Sequence, residues 1–401
     1  MNILLSIHNM GLGGVSTYLA HLANGLAERH RVILFDQYPY VSDYKAVSFL
    51  STKVVRESVL NRPWCDRINW AVAGALSKSG ISVHHWENSR KRYFLKVLRK
   101  YHVDVITSFD KYSDKLVLEA VGGSIPLVLS LHGSYDISEY AKLTDEEIKL
   151  YEPLFRQVKA VVYKSACNIR VLDHYQDLHN ILTVKRIFHG FTAVPPKGDP
   201  AAYRKQLGIP QDAFVFVMVA RGVPEKGWKE AMDAFLSAAA TSGLNTHFVA
   251  IGGSEHLNEL KQAYAGEDRI HFTGFVEHPL EWINACDAGV LPTYARTENF
   301  TFSVVEYLFC GKPAIASDHG EISTTLDAGE GKAGILVPNK DGKPDVAGFT
   351  AAMMAYLTDP VLYRQHRSLT GKAFGKFDSK RAVEAYEAVF RMVTAGGKAG
   401  D

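Results

Sequence analysis

Long hydrophobic runs, paired cysteines and a dominant charge are all missing from this chain of 401 residues. No stretch approaches the roughly 20 apolar residues that a bilayer-spanning helix needs. Met1 leads straight into a strand-like run, 2–8, with no cationic stretch before it, which predicts no signal peptide. A cytoplasmic chain is expected, at most resting on the inner face of the cell membrane. The four cysteines, Cys65, Cys167, Cys286 and Cys310, are scattered, so neither a disulfide framework nor a CxxC metal site is predicted. No Asp-x-Asp occurs, and no acidic pair is placed to chelate a metal for a nucleotide diphosphate. Net charge is only +2, which excludes a strongly basic nucleic-acid binder. Residues 1–200 hold 25 Lys+Arg against 19 Asp+Glu, and residues 201–401 hold 20 against 24. The balances of +6 and −4 direct the first half toward something anionic.

What is present is an alternation of short Val/Ile/Leu runs with helical patterns, the signature of parallel sheets covered on both faces. In the first half the strand candidates are 2–8, 31–36, 103–109, 126–132 and 160–165. In the second they are 214–220, 247–253, 270–275, 288–293, 313–317 and 334–338. An α/β chain of two Rossmann-like, doubly wound domains is predicted. Residues 1–190 form the first and 201–375 the second. A linker at 191–200 is rich in Pro and Gly. A last helix within 376–401 has an apolar face of Ala382, Tyr386, Val389, Phe390 and Val393.

Ligands of open parallel sheets bind beyond the carboxyl ends of the strands, so the residues there carry the functional reading. After the first strand, Gly11, Gly13 and Gly14 precede a helix and would let a phosphate approach the backbone. Asp36 ends the second strand, where a nicotinamide enzyme keeps its ribose-binding acid, but Ser16 breaks the G-x-G-x-x-G fingerprint. His132 follows the run at 126–131 and is suited to orienting a sugar or phosphate. Arg221 and Lys226 share one Gly/Pro-containing loop, a fork and a point charge suited to a diphosphate. The bland alternative is a solvated loop with a Glu225–Lys226 pair. Glu298 lies in a loop after 288–293. Glu306 lies eight residues further, inside a helix whose N-terminus near Thr301 offers free N–H groups to an anion. Two carboxylates so placed suit a sugar and a ribose. Glu306 is flanked by apolar side chains and needs a partner.

The chain resembles the retaining glycosyltransferases of family four, which have the GT-B fold, over nearly its whole length. The resemblance rests on Gly13-Gly14, His132, the Arg221…Lys226 loop and the E-x7-E element Glu298–Glu306 followed by Gly311-Lys312-Pro313. It implies an interdomain cleft, a nucleotide-sugar donor (a UDP-sugar by default), a glycan or lipid-linked acceptor held by the N-terminal domain, and no metal or other cofactor. Arg221 and Lys226 would hold the departing diphosphate, Glu298 and His132 would meet the donor sugar, and Glu306 would take the ribose hydroxyls. Gly13 and Gly14 would approach the phosphates, and the last helix would cross back to the N-terminal domain. Transfer would retain anomeric configuration by a front-face route, in a pathway building surface polysaccharide. The family's usual Glu-Gly-Phe-Gly is here Glu298-Asn299-Phe300-Thr301, so Asn299, Phe300 and Thr301 line the sugar loop with two extra side chains. His189-Gly190 stands where many members have Asn-Gly.

Two rivals remain open at this point, a nicotinamide-dependent dehydrogenase and a non-catalytic nucleotide-sugar-binding subunit. Residues 90–100 hold six basic residues and no acid, and Phe94, Val97, Leu98 and Tyr101 share one helical face. That pattern predicts either an ordinary sheet-covering helix or an amphipathic contact with anionic membrane.

Overall fold

The computed structural model describes residues 1–11, 14–38, 42, 47–58, 72, 85–132, 144–178, 182–192, 194–295, 298 and 300–395. The chain divides into two compact units. The first is Met1–Thr192 together with Asp378–Asp401, and the second is Ala193–Phe377.

The first unit holds strands β1 (Asn2–Ile7), β2 (Arg31–Asp36), β3 (Val55–Ser58), β4 (Val105–Ser108), β5 (Leu127–Ser130), β6 (Ala160–Tyr163) and β7 (Thr183–Arg186). They form one sheet in the order 3-2-1-4-5-6-7, every pair parallel. Alternate residues of β1 serve opposite faces. Leu4 enters the core under helices His85–Tyr101, Lys111–Val121 and Asp145–Gln157, while Ile3 and Leu5 enter the core under Gly14–Ala27 and Ser379–Ala395. The last helix presses close: a Cβ on Gly25 would stand 2.5 Å from Val383, and one on Gly190 would stand 2.8 Å from the Ser379 backbone.

The second unit holds β8 (Phe214–Val219), β9 (Thr246–Ile251), β10 (Ile270–Gly274), β11 (Ala288–Leu291), β12 (Ala314–Ser317) and β13 (Gly334–Val337). Their order is 10-9-8-11-12-13, again all parallel. Both sheets therefore reverse direction of growth once, between β1 and β4 and between β8 and β11, as doubly wound sheets do.

Helix His85–Tyr101 corrects the amphipathic-membrane expectation. Phe94, Val97, Leu98 and Tyr101 are buried in the core against Ile33 and Phe35. That face is unavailable to lipid. Tyr93, Lys100 and Tyr101 of the same helix hold Glu57 on edge strand β3. Arg92, Lys96, Arg99 and Lys100 remain exposed. No helix among the described residues is long and apolar enough to cross a membrane.

Candidate active site

The switch point of the second unit is opened by one aromatic ring. β8 and β11 pair only at Phe216–Ala288 and Val217–Gly289. A Cβ on Gly289 would stand 2.1 Å from the Tyr307 ring, so glycine here makes room for it. The Tyr307 hydroxyl accepts from the Val219 N–H at 2.8 Å, replacing the ladder bond that β11 does not make. The strands thus part at their carboxyl ends, and the loops after each line the opening.

The loop after β8 carries Arg221 and Lys226. Its shape is fixed from beneath, where buried Trp228 donates its indole N–H to the Arg221 carbonyl at 2.9 Å. Gly227 has φ +78°, and a Cβ there would stand 1.8 Å from the Pro292 carbonyl oxygen. Only glycine lets this loop lie against the one after β11. Arg221 is exposed at the loop's edge. Lys226 turns inward and pairs with Glu298, not with neighbouring Glu225.

Glu298 is buried. Besides Lys226, its Oε1 accepts from the Thr293 hydroxyl at 2.7 Å, and its Oε2 accepts from Thr301 at 3.2 Å. Thr301, one of the two departures from the family loop, thus adds a hydrogen bond to the carboxylate. Asn299 and Gly13 lie outside the described residues. Phe300 stacks edge-on with Phe302 and Phe377. The Glu298 carbonyl accepts from Glu321 N–H, beside Gly320 at φ +57°.

Helix Phe302–Phe309 begins at Thr301, whose side chain does not cap it. The N–H groups of its first turn have no acceptor within the helix. Glu306 sits on its second turn. No hydrogen bond or ion pair of its carboxylate is found among the described residues, and burial pushes that carboxyl up to about 7.

In the first unit, Gly14 opens helix Gly14–Ala27, and His132 is buried just past β5. His132 stacks on His189 with an interplanar angle of 16°, and Tyr18 tilts against both rings. Sequence reasoning left His189 without a role; its place beside His132 was signalled only by the substitution of His for Asn before Gly190. Asp36 accepts from Arg56 at 2.6 Å and Ser42 at 2.8 Å. The acid that a dehydrogenase would keep for a ribose is here a partner within the fold.

The glycosyl transferases group 1 profile matches residues 199–370, and the Glycosyltransferase Family 4 profile matches residues 12–176. Each unit thus carries its own match, and the chain belongs with the family-four-like glycosyltransferases. A 2-deoxystreptamine N-acetyl-D-glucosaminyltransferase of Streptomyces fradiae is 29% identical over 51% of this chain and 49% of its own length. A D-inositol 3-phosphate glycosyltransferase of Kribbella flavida is 26% identical over 59% and 58%. The chain spans about half the length of the curated relatives it matches. Anabaena HepE, solved in complex with UDP and glucose, superposes with a TM-score of 0.68 at 19% identity, covering 98% of this chain and all of that one. A glycosyltransferase of Rickettsia africae gives 0.73 at 14% identity, covering 98% of each. These structures share the GT-B fold. Nothing in the comparisons favours a dehydrogenase.

Proposed function

We propose that the chain transfers a sugar from a nucleoside-diphosphate donor, a UDP-sugar by default, to a glycan or lipid-linked acceptor in surface polysaccharide synthesis. The observation that carries this reading is the Lys226–Glu298 pair bridging two loops at the parted ends of β8 and β11, followed by Glu306 on helix Phe302–Phe309, whose carboxylate has no partner among the described residues. A fixed cation, an exposed guanidinium and a carboxylate with acceptor capacity to spare meet at a topological switch point. The second unit, with the span 201–375, is the donor-binding domain. The first, 1–190 with the returning 376–401 segment, holds the acceptor, and 191–200 is the linker. HepE with UDP and glucose supports the ligand class. A Campylobacter jejuni relative, 26% identical over 56% of this chain, acts by its name on a diphospho-undecaprenol-linked sugar, which supports the acceptor class.

In this reading Arg221 and Lys226 draw the diphosphate and stabilise the charge that grows on it as the glycosidic bond breaks. The orphan N–H groups after Thr301, and Gly13 and Gly14 from the first unit, meet phosphate oxygens. Glu298 accepts hydroxyls of the donor sugar, oriented by Thr293 and Thr301, with Phe300 and Asn299 completing the loop and His132 contacting the same sugar. Glu306 takes the ribose hydroxyls. With its carboxylate held by three donors, Glu298 is poorly placed to attack carbon. A front-face transfer with retention, the leaving phosphate taking the acceptor's proton, fits better.

The test is transfer from a panel of UDP-, GDP- and ADP-sugars with and without EDTA. Turnover of at least one nucleotide sugar, nearly unchanged by EDTA, is expected. Strict dependence on Mg²⁺ or Mn²⁺ would overturn the assignment of Arg221 and Lys226. Calorimetry separates the carboxylates: Glu298→Gln is expected to weaken the nucleotide sugar while leaving free nucleoside diphosphate almost unaffected. Equal losses for both ligands would refute the division of labour.

Membrane contact, in this reading, is electrostatic alone, through Arg92, Lys96 and Arg99, at about 1 kcal/mol per basic residue near an anionic surface. Co-sedimentation with anionic vesicles is expected at low salt, and is expected to disappear at high salt or when these three are changed to Gln. Binding that survives both changes would point to a different surface.

A further inference from the structure

The first unit contains a buried lysine that the transfer reaction does not use. Lys164 follows β6, and its backbone is held by Asn168 in the capping box of the short helix Ala166–Ile169. The residue is 4% exposed. No carboxylate lies within hydrogen-bonding reach of its amine among the described residues. Instead Nζ donates to the Tyr386 hydroxyl at 2.8 Å and to the Tyr18 hydroxyl at 3.1 Å. It also stands over both rings, 4.8 Å from each centroid. An uncompensated buried charge is costly, so burial holds this amine well below its ordinary value.

The contacts continue in one line. Tyr386 Oη and Ser130 Oγ are 2.6 Å apart, and Ser130 Oγ and His132 Nε2 are 3.1 Å apart. On the far side of the ring, His132 Nδ1 is 3.4 Å from His189 Nε2. Every member is buried. Proton counting gives the line a direction once Lys164 heads it as donor and the Tyr386 hydroxyl turns to Ser130, not to Tyr18. Even a neutral amine has two hydrogens, one for each phenol oxygen, and a phenol has only one to pass on. With its oxygen accepting from Lys164, Tyr386 donates to Ser130, and Ser130 donates to the lone pair of His132 Nε2. In that direction the imidazole proton sits on Nδ1.

We propose that Lys164 is a positioning residue which, through the hydroxyls of Tyr386 and Ser130, holds His132 as its Nδ1–H tautomer. Tyr386 comes from helix Ser379–Ala395, so the returning helix supplies part of this chain of hydroxyls as well as apolar cover. The functional weight of the inference rests on the reading that His132 contacts the donor sugar. The tautomer itself does not.

The experiment is two-bond ¹H–¹⁵N correlation on the full-length protein labelled at histidine, with His132 assigned by its loss in His132→Ala. In the wild type, Nε2 is expected to resonate as an unprotonated nitrogen and Nδ1 as a protonated one. Tyr386→Phe, which keeps the ring, and Lys164→Met, which keeps the stem, are each expected to shift His132 toward the Nε2–H form. Ser130→Ala should do the same with no residue of the C-terminal helix substituted. A wild-type proton on Nε2, or an unchanged tautomer in all three variants, would overturn the proposal. Transfer by His132→Ala reports on the other reading separately: full activity there would remove the sugar contact and leave the tautomer result standing.

Discussion

Lys226→Ala is expected to slow transfer by about a hundred- to a thousandfold, the usual loss for one preorganised charge partner of a developing anion. It should also destabilise the protein, because Glu298 is buried and would lose its cation. Stranding one member of a buried pair typically costs about 3–5 kcal/mol. Arg221 gives the comparison. It is exposed, so Arg221→Ala should lose a similar factor in rate while melting like the wild type. Adding Glu298→Gln to Lys226→Ala removes the stranded charge. The double variant should recover much of the melting temperature and none of the rate. Initial rates and thermal melts on the four proteins decide this. Wild-type turnover by Lys226→Ala would remove the residue from the mechanism, and an unchanged melt would mean that the pair carries no structural weight.

Glu306 carries the second large effect. A hydrogen bond to a charged group is worth about 1.5–3 kcal/mol. Glu306→Ala, losing two ribose hydroxyls, should weaken nucleoside diphosphate and nucleotide sugar alike by about a hundredfold or more. The carboxylate is the form that accepts from hydroxyls, so wild-type affinity should rise as pH rises through about 7. Stability moves the other way. Between the ordinary value of 4.5 and about 7, the folded chain binds more protons at this site than the unfolded one. The site's contribution is therefore present below 4.5 and lost as pH rises through 7. Glu306→Gln should flatten that slope, leaving the unliganded variant more stable than the wild type at pH 8. A melting profile with the wild-type pH slope would show that Glu306 is not the group responsible.

How far the sequence disclosed this arrangement follows from exposure. The inner strands announced themselves because both faces are covered and their runs are continuously apolar. β3 and β7 did not. Val55-Arg56-Glu57-Ser58 and Thr183-Val184-Lys185-Arg186 are half-buried edges with charges along them, and nothing in their composition separates them from loops. The rule that ligands meet strand ends led to Arg221, Lys226, Glu298 and Glu306. It did not say that Lys226 would choose Glu298 over Glu225, since adjacency of β8 and β11 is a property of topology and those residues are 72 apart. Tyr307, Gly289 and Thr293 read as core or loop until their contacts were seen. The face of 90–100 was apolar because it is core, and periodicity alone cannot tell a sheet from a bilayer. Lys164 was invisible for the opposite reason: a lysine in Val-Val-Tyr-Lys-Ser looks like a solvated strand end.

The return of the C-terminal helix has a consequence for how the protein is made. Ala382, Val383, Tyr386, Val389 and Phe390 complete the core that contains Leu19, Leu22 and Ala23, and synthesis delivers them only after the whole of Ala193–Phe377. The second unit is one unbroken stretch, Ala193–Phe377, and has all its strands as soon as that stretch has left the ribosome. The first unit, whose strands all precede that stretch, waits through the whole of that interval with an apolar face uncovered. Domains generally fold as units in order of emergence; here the first unit is completed only after the second has emerged, and the nascent chain must keep Leu19 and its neighbours from other partners until helix Ser379–Ala395 arrives.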